Sequence, residues 1–308
     1  MLASVLVASG IALSGLWQGL AVPNLQAALT RPLEGSRAGS FQDETSDEPE
    51  AMPGGNAGDA AEAVAAAGAK ATLGDPPGWV RLPKPEMPTG PRRVGIQAGH
   101  WLTQEAPADL WRLIDQTGTS WDGVNEWEAN LEMAYRVAAI LERDGLVVDV
   151  LPTVIPPGYL ADAFVALHWD GDGVGEKSGF KLAHSGRRTP HEDALQRLVT
   201  EEYGNASGLR YDALGVSGNM RGYYAHAWSR VRYSTSPFTP SVILEMGFLS
   251  SDHDRSLLLN EPENLANGVA AGIRRFLDAT PRDALFGQDL VVPPAPVRRS
   301  PSPSPTAP

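Results

Sequence analysis

Short apolar runs alternate with longer amphipathic stretches between residues 92 and 279. Runs rich in Val, Ile and Leu predict strands at 93–98, 146–151, 163–168, 179–183 and 241–245, and a helical spacing of apolar positions covers 126–144, 191–203 and 263–277. Such alternation is typical of α/β domains with a buried sheet. We therefore predict a single α/β domain whose mostly parallel, twisted sheet is flanked by helices.

The residues on either side of this domain lack the periodicity of packed elements. Residues 1–30 contain no charged side chain, and 2–22 are largely apolar over about the length that spans a bilayer. They predict either a signal peptide, cleaved after Ala21, or a retained membrane anchor. Residues 31–91 are acidic and Pro-rich, and 280–308 are rich in Pro and Ser, so both are predicted to be disordered. The predicted domain limits are therefore 92 and 279.

Composition narrows the classes of partner and of chemistry. The 308 residues include 37 acidic and 25 basic side chains, giving a net charge of -12, which argues against a nucleic-acid partner. No cysteine is present, so thiolate nucleophiles, disulfides and Cys-based metal sites are excluded. Any metal ion has to be bound by His, Asp or Glu.

Polar side chains mark the ends of three predicted strands. His100 follows the first strand, His168 follows the strand at 163–167, and Glu245 closes the strand at 241–245. The carboxyl ends of parallel strands meet at one edge of a sheet, where α/β proteins bind their ligands. An imidazole or carboxylate at the end of an apolar strand is poorly solvated and needs a partner or a metal ion.

A fourth candidate comes from the start of the first predicted helix. Asn125 fits an N-cap, Glu126 is then the first helical residue, and Glu128 fits the acid of a capping box. Glu126 can therefore point toward the strand ends, although Glu128 remains a rival. Two imidazoles and one carboxylate form a familiar catalytic zinc set that leaves one position open.

The motifs around these residues resemble the zinc-dependent N-acetylmuramoyl-L-alanine amidases of the type 3 family. The resemblance covers about residues 93–277 and is carried by segments 98–100 (AGH), 126–131 (EWEANL), 161–168 (ADAFVALH) and 240–250 (PSVILEMGFLS). That family cuts the amide bond between the lactyl group of the glycan and the first residue of the peptidoglycan stem peptide. The resemblance implies that Zn²⁺ is bound by His100, Glu126 and His168, that Glu245 is the catalytic carboxylate, and that peptidoglycan is the substrate. The export signals in residues 1–30 predict that the protein acts outside the cytoplasm, in the cell envelope or secreted.

The sequence departs from the family pattern at the rim of this expected site. Gln97 stands where Asp is common, Trp101 where Gly is usual, and Trp169 and Asp170 replace a small residue and Asn. None of these is an expected ligand, but together they leave the exact substrate open.

The sequence offers one candidate residue for substrate binding and two alternative functions. Arg221, in an aromatic segment, is a candidate for binding a carboxylate or a sugar of the substrate, whereas His184, His191, His226 and His253 have polar neighbours and are expected to be exposed. Two other functions stay open: an inactive cell-wall binding or regulatory module, and a zinc peptidase that cuts within the stem peptide.

Overall fold

The computed structural model describes residues 76–186 and 189–293. The predicted signal or anchor segment, residues 31–75 of the predicted linker and residues 294–308 of the tail lie outside the described residues. The strands are β1 (Val80–Leu82), β2 (Arg93–Ala98), β3 (Ser120–Trp121), β4 (Val124–Asn125), β5 (Val147–Leu151), β6 (Ala163–Asp170), β7 (Lys181–Ala183), β8 (Ser241–Phe248) and β9 (Leu290–Val292). The α-helices are α1 (Glu126–Arg143), α2 (Pro190–Ser207), α3 (Gly218–Arg221), α4 (Asp252–Asn260), α5 (Pro262–Ala279) and α6 (Arg282–Phe286).

Five strands form a central sheet in the order β5-β2-β6-β8-β7. Strands β5, β2, β6 and β8 are parallel, and β7 pairs antiparallel with β8 at one edge. Strand β6 is buried along its whole length except at Asp170, as expected for a parallel strand covered on both faces. The predicted α/β class with a mostly parallel sheet is confirmed.

The two faces of the sheet are covered differently. Alternate residues of β2, β6 and β8, such as Ile96 and Leu167, pack with helices α1, α2 and α5 in one large core. The opposite face, which includes Phe164 and Ile243, packs against Leu110 and other residues of irregular segments that contain only short helical turns. The long predicted helices therefore lie on one face, and loop segments complete the other.

Ordered elements extend beyond the predicted limits of 92 and 279. Strands β1 and β9 pair with each other, and Leu82 and Val292 are buried in the main core. Arg282, at the start of α6, donates hydrogen bonds to the carbonyl oxygens of Pro88 and Pro91 and pairs with Asp162. The described parts of the predicted linker and tail, residues 76–91 and 280–293, are thus packed in part against the domain. Three-residue strands between prolines have no periodicity by which sequence analysis could detect them.

None of the helices in the described ranges is both long and apolar enough to span a membrane.

Candidate metal centre

The carboxyl edge of the sheet brings together residues from three elements. Strand β2 ends at Ala98, and the next turn places His100 in the left-handed backbone region, with φ of 63°. His168 lies near the end of β6, and Glu126 is the first residue of α1. A positive φ is uncommon for a residue with a side chain and is often found at functional sites.

His100, Glu126 and His168 form a tight cluster whose ligand atoms lie within 4.8 Å of one another. Glu126 Oε1 lies 3.3 Å from His100 Nε2 and 3.2 Å from His168 Nδ1. Tetrahedral zinc with bonds of about 2.0–2.1 Å separates its ligand atoms by roughly 3.3 Å. Both the donor set and these nitrogen–oxygen separations fit a zinc ion.

Glu126 is held in this position by backbone and side-chain donors. Its Oε2 accepts a hydrogen bond from the Thr119 amide at 2.8 Å, and its Oε1 accepts from the Trp169 amide at 3.2 Å and from Asn130 Nδ2 at 3.4 Å. The side chain is buried. Burial favours its protonated form, but His100 and His168 outweigh this effect and hold the pKa of Glu126 below its ordinary value.

In each imidazole, the ring nitrogen that does not face Glu126 contacts a hydrogen-bond partner. His100 Nδ1 lies 2.6 Å from the Gln116 carbonyl oxygen, and His168 Nε2 lies 3.0 Å from the Tyr223 hydroxyl. Metal-binding histidines usually have such a partner, which orients the ring and fixes its tautomer. Burial lowers the pKa of His168, which favours the neutral form that binds metal. For His100, burial also acts to lower the pKa, but Glu126 outweighs it and leaves the pKa raised.

Two glycines allow the cluster to pack closely. A Cβ atom on Gly99 would lie 2.3 Å from His168 Cε1, so no larger residue fits without displacing that ring. A Cβ atom on Gly118, which has φ of +81°, would lie 2.5 Å from Glu126 Oε2. These contacts explain why small residues flank the candidate ligands.

Glu245 stands beside the cluster on the neighbouring strand. It pairs in register with His168, and a bulge follows directly, before Asp170 pairs with Phe248. Within the described residues its Oε2 is buried and has no hydrogen-bond partner. Burial, together with the charges of Asp170 and Glu126, raises the pKa of Glu245 well above its ordinary value, and Lys181 opposes this rise. Such a carboxyl group, perturbed beside a possible metal site, is a candidate acid or base.

Lys181 brings a positive charge close to Glu245. It is buried on β7, directly across from Glu245, and forms an ion pair with Asp170. Its Nζ also donates to the carbonyl oxygen of Gly215 at 3.1 Å.

The other predicted residues lie elsewhere. Helix α1 begins at Glu126 as predicted, but Asn125 does not cap it, and the side chain of Asn125 instead donates to Glu128 at 2.9 Å. The predicted capping box is therefore wrong, and the rival Glu128 is bound to Asn125. Arg221 is exposed, and its guanidinium donates to the carbonyl oxygen of Val216.

His226 is not exposed, contrary to the expectation from its polar neighbours. It lies 3% exposed beneath the segment that carries Tyr223, and burial, with nearby His184, lowers the pKa of His226 to about 4. The tertiary packing that covers it cannot be read from adjacent residues.

Three residues of the site were not singled out from the sequence as functional. Asn130 lies one helical turn after Glu126, a spacing that could have identified it. Tyr223 belongs to the aromatic segment around Arg221, but its contact with His168, like the position of Lys181, arises only through tertiary packing.

A model of a known protein family matches part of this chain. Residues 158–275 match the family described as N-acetylmuramoyl-L-alanine amidase. His168 and Glu245 lie inside this range, and His100 and Glu126 precede it. A comparison with curated protein sequences gave no match.

Similar solved structures include several amidases. Ami1 from Mycobacterium smegmatis is 18% identical with a TM-score of 0.47, and the alignment covers 61% of this chain and 98% of that one. The catalytic domain of CwlV from Bacillus (Paenibacillus) polymyxa var. colistinus is 23% identical with a TM-score of 0.41, covering 61% and 99%. AmiC2 of Nostoc punctiforme is 21% identical with a TM-score of 0.43, covering 62% and 99%. The family match covers residues 158–275, less than half of the chain, and it is to the N-acetylmuramoyl-L-alanine amidase family, the enzyme family that the motifs of this chain resemble.

Proposed function

We propose that the protein is a zinc-dependent amidase that hydrolyses the bond between N-acetylmuramic acid and L-alanine in peptidoglycan. The observation that carries the proposal is the convergence of His100, Glu126 and His168 beside Glu245, whose Oε2 is buried. The family match supports peptidoglycan as the substrate. Because that polymer lies in the cell envelope, the proposed site of action is outside the cytoplasm.

His100, Glu126 and His168 are the proposed zinc ligands. A zinc ion held by these two imidazoles and one carboxylate would supply Lewis-acid chemistry that activates water and polarises the scissile carbonyl group. The protein's part is to hold these three side chains in place before substrate arrives. The amides of Thr119 and Trp169 fix the carboxylate, and the hydrogen-bond partners of the two rings fix the imidazoles.

Glu245 is the proposed general base and acid. Its Oε2, which has no partner within the described residues, is free to accept a proton from the attacking water. The same carboxyl group then returns the proton to the departing amine of L-alanine. Lys181 favours the ionised form of Glu245 that the first transfer needs. General acid–base catalysis of this kind typically contributes about 10²–10⁴-fold to the rate.

Substitution of Glu245 tests this proposal. Glu245→Gln retains the size of the side chain but cannot accept the proton, so cleavage of purified sacculi should slow by at least about 10²-fold while zinc content stays unchanged. Glu128→Gln is the matched control, because it removes a carboxylate two residues from Glu126 that contacts Asn125. Mass spectrometry of the released fragments identifies the bond that is cut, and elemental analysis measures the zinc.

Four outcomes would contradict parts of the proposal. A Glu245→Gln variant that cuts at the wild-type rate would assign the proton transfer to another group. Cleavage within the stem peptide would make the protein a zinc peptidase, and zinc and sacculus binding without any cleavage would make it a binding or regulatory module. Wild-type activity in a zinc-free protein would rule out the metal.

A further inference from the structure

A chain of hydrogen bonds connects His168 to the backbone at residue 153. His168 Nε2 lies 3.0 Å from the Tyr223 hydroxyl, which lies 2.8 Å from Gln97 Oε1. Gln97 is fully buried, and its Nε2 lies 2.6 Å from the carbonyl oxygen of Thr153. Tyr223 enters the mechanism proposed above only as the hydrogen-bond partner of the His168 ring, and Gln97 has no role in it.

The direction of each hydrogen bond follows from its fixed end. A backbone carbonyl only accepts, so the amide nitrogen of Gln97 must face Thr153 and its carbonyl oxygen must face Tyr223. That oxygen also only accepts, so the Tyr223 hydroxyl must donate its single proton to Gln97. The Tyr223 oxygen is thereby left as an acceptor toward His168.

The neighbouring hydroxyl does not reverse this order. Tyr224 donates its proton to the Thr153 carbonyl oxygen and receives a hydrogen bond from Gln97 Nε2 at 3.1 Å. It therefore has no proton left for the Tyr223 oxygen, from which its own oxygen lies 3.2 Å away. Tyr223 can accept only from His168 Nε2–H.

We infer that Tyr223, oriented by Gln97, is a positioning residue that holds His168 in the tautomer with its proton on Nε2. A zinc ion at the proposed site would then meet the lone pair of Nδ1, which lies 3.2 Å from Glu126 Oε1. The inference rests on the proposed zinc site. It also gives a physical reason for glutamine at residue 97, because a carboxylate there has no proton to donate to the Thr153 carbonyl oxygen.

Tyr223→Phe tests this inference in the full-length protein. The variant keeps the ring but removes the acceptor for Nε2–H, so the affinity for Zn²⁺, measured by competition with a chelator, should fall by about 10–100-fold. Nitrogen NMR of the zinc-free protein at about pH 8, above the lowered pKa of His168, should show the Nε2–H tautomer of His168 in the wild type and a mixture of tautomers in the variant.

Tyr203→Phe is the matched control. It also removes a buried tyrosine hydroxyl, one that donates to the Met246 carbonyl oxygen on the far face of the sheet. It should leave both the zinc affinity and the His168 tautomer unchanged, which separates positioning from a general loss of stability.

The inference and the proposed function fail differently. An unchanged tautomer and zinc affinity in Tyr223→Phe, or an Nδ1–H tautomer in the wild type, would overturn the inference even if peptidoglycan is cut. If the wild type binds zinc but cuts nothing, the proposed function fails while both measurements still decide the role of Tyr223. If the wild type binds no zinc, the tautomer measurement alone decides it.

Discussion

At the scale of single residues, the candidate site requires a residue without a side chain at Gly99. The space where a Cβ atom of residue 99 would lie is occupied by the ring of His168. Its neighbour His100 adopts a left-handed backbone conformation. The close approach of β2 and β6 at this point thus brings the two imidazoles together, with ring centroids 4.9 Å apart.

Gly99→Ala should therefore weaken zinc binding although it replaces none of the proposed ligands. The new methyl group would displace the His168 ring, and we expect the affinity for Zn²⁺ to fall by at least about 10-fold, with a parallel loss of activity at limiting zinc. Gly186→Ala is the control, because a Cβ atom there meets nothing within 4 Å. Chelator competition measures both variants, and wild-type affinity in Gly99→Ala would contradict the packing argument.

At the scale of elements, helix α2 begins with a capping box whose acid is buried. Glu192 Oε2 accepts hydrogen bonds from the amide and hydroxyl of Thr189, at 2.7 and 2.6 Å. Burial nevertheless outweighs these bonds and raises the pKa of Glu192 from 4.5 to about 7. The folded state therefore binds this proton more tightly than the unfolded state does.

This raised pKa predicts a loss of stability as the pH increases. Between about pH 4.5 and 7 the folded protein holds more protons at Glu192 than the unfolded chain, so the free energy of unfolding falls across this window, by about 3 kcal/mol at most. Glu192→Gln stays neutral and should lack this contribution, so its melting temperature should rise relative to wild type as the pH increases. Glu201→Gln, on the exposed side of α2, is the control and should show no such gain. If the melting temperatures of wild type and Glu192→Gln changed with pH in the same way, the raised pKa of Glu192 would be contradicted.

The sequence predicted the elements that have their own periodicity. Strands β2, β6 and β8 and helices α1, α2 and α5 lie at or within a few residues of their predicted limits, because each buries a continuous or periodic apolar face. The rule that ligands gather at the carboxyl ends of parallel strands predicted His100, His168 and Glu245 at one edge. Neither periodicity nor this rule predicts β1, β9 or the position of Tyr223, because their contacts join residues far apart in the chain.

At the scale of the whole molecule, the described residues on either side of the predicted domain contribute to its core. Leu82, Leu285, Phe286 and Val292 are buried in the same cluster as the helices over the sheet. Asp162, at the start of β6, is bound by Arg92 and Arg282. The domain therefore includes residues that composition assigns to a linker and a tail.

A fragment of residues 76–293 should be more stable than one of 92–279. The shorter fragment loses four buried apolar side chains, each contributing about 1.5–3 kcal/mol, so its melting temperature should be lower by about 10 °C or more. Calorimetry of the two fragments measures the difference. Equal melting temperatures would show that β1, α6 and β9 add nothing to the fold.

The pairing of β1 with β9 also determines how the domain responds to tension. The strands are antiparallel, with Val80 opposite Val292 and Leu82 opposite Leu290, so the chain enters and leaves at the same end of this two-stranded ribbon. A force applied through the two flanking segments would act on the pair Val80–Val292 first and would separate the strands one residue pair after another. A three-residue ribbon has little stability of its own, so it would yield before the load reaches the central sheet. The candidate metal site at the carboxyl edge of the central sheet would therefore be loaded only after β1 and β9 have separated.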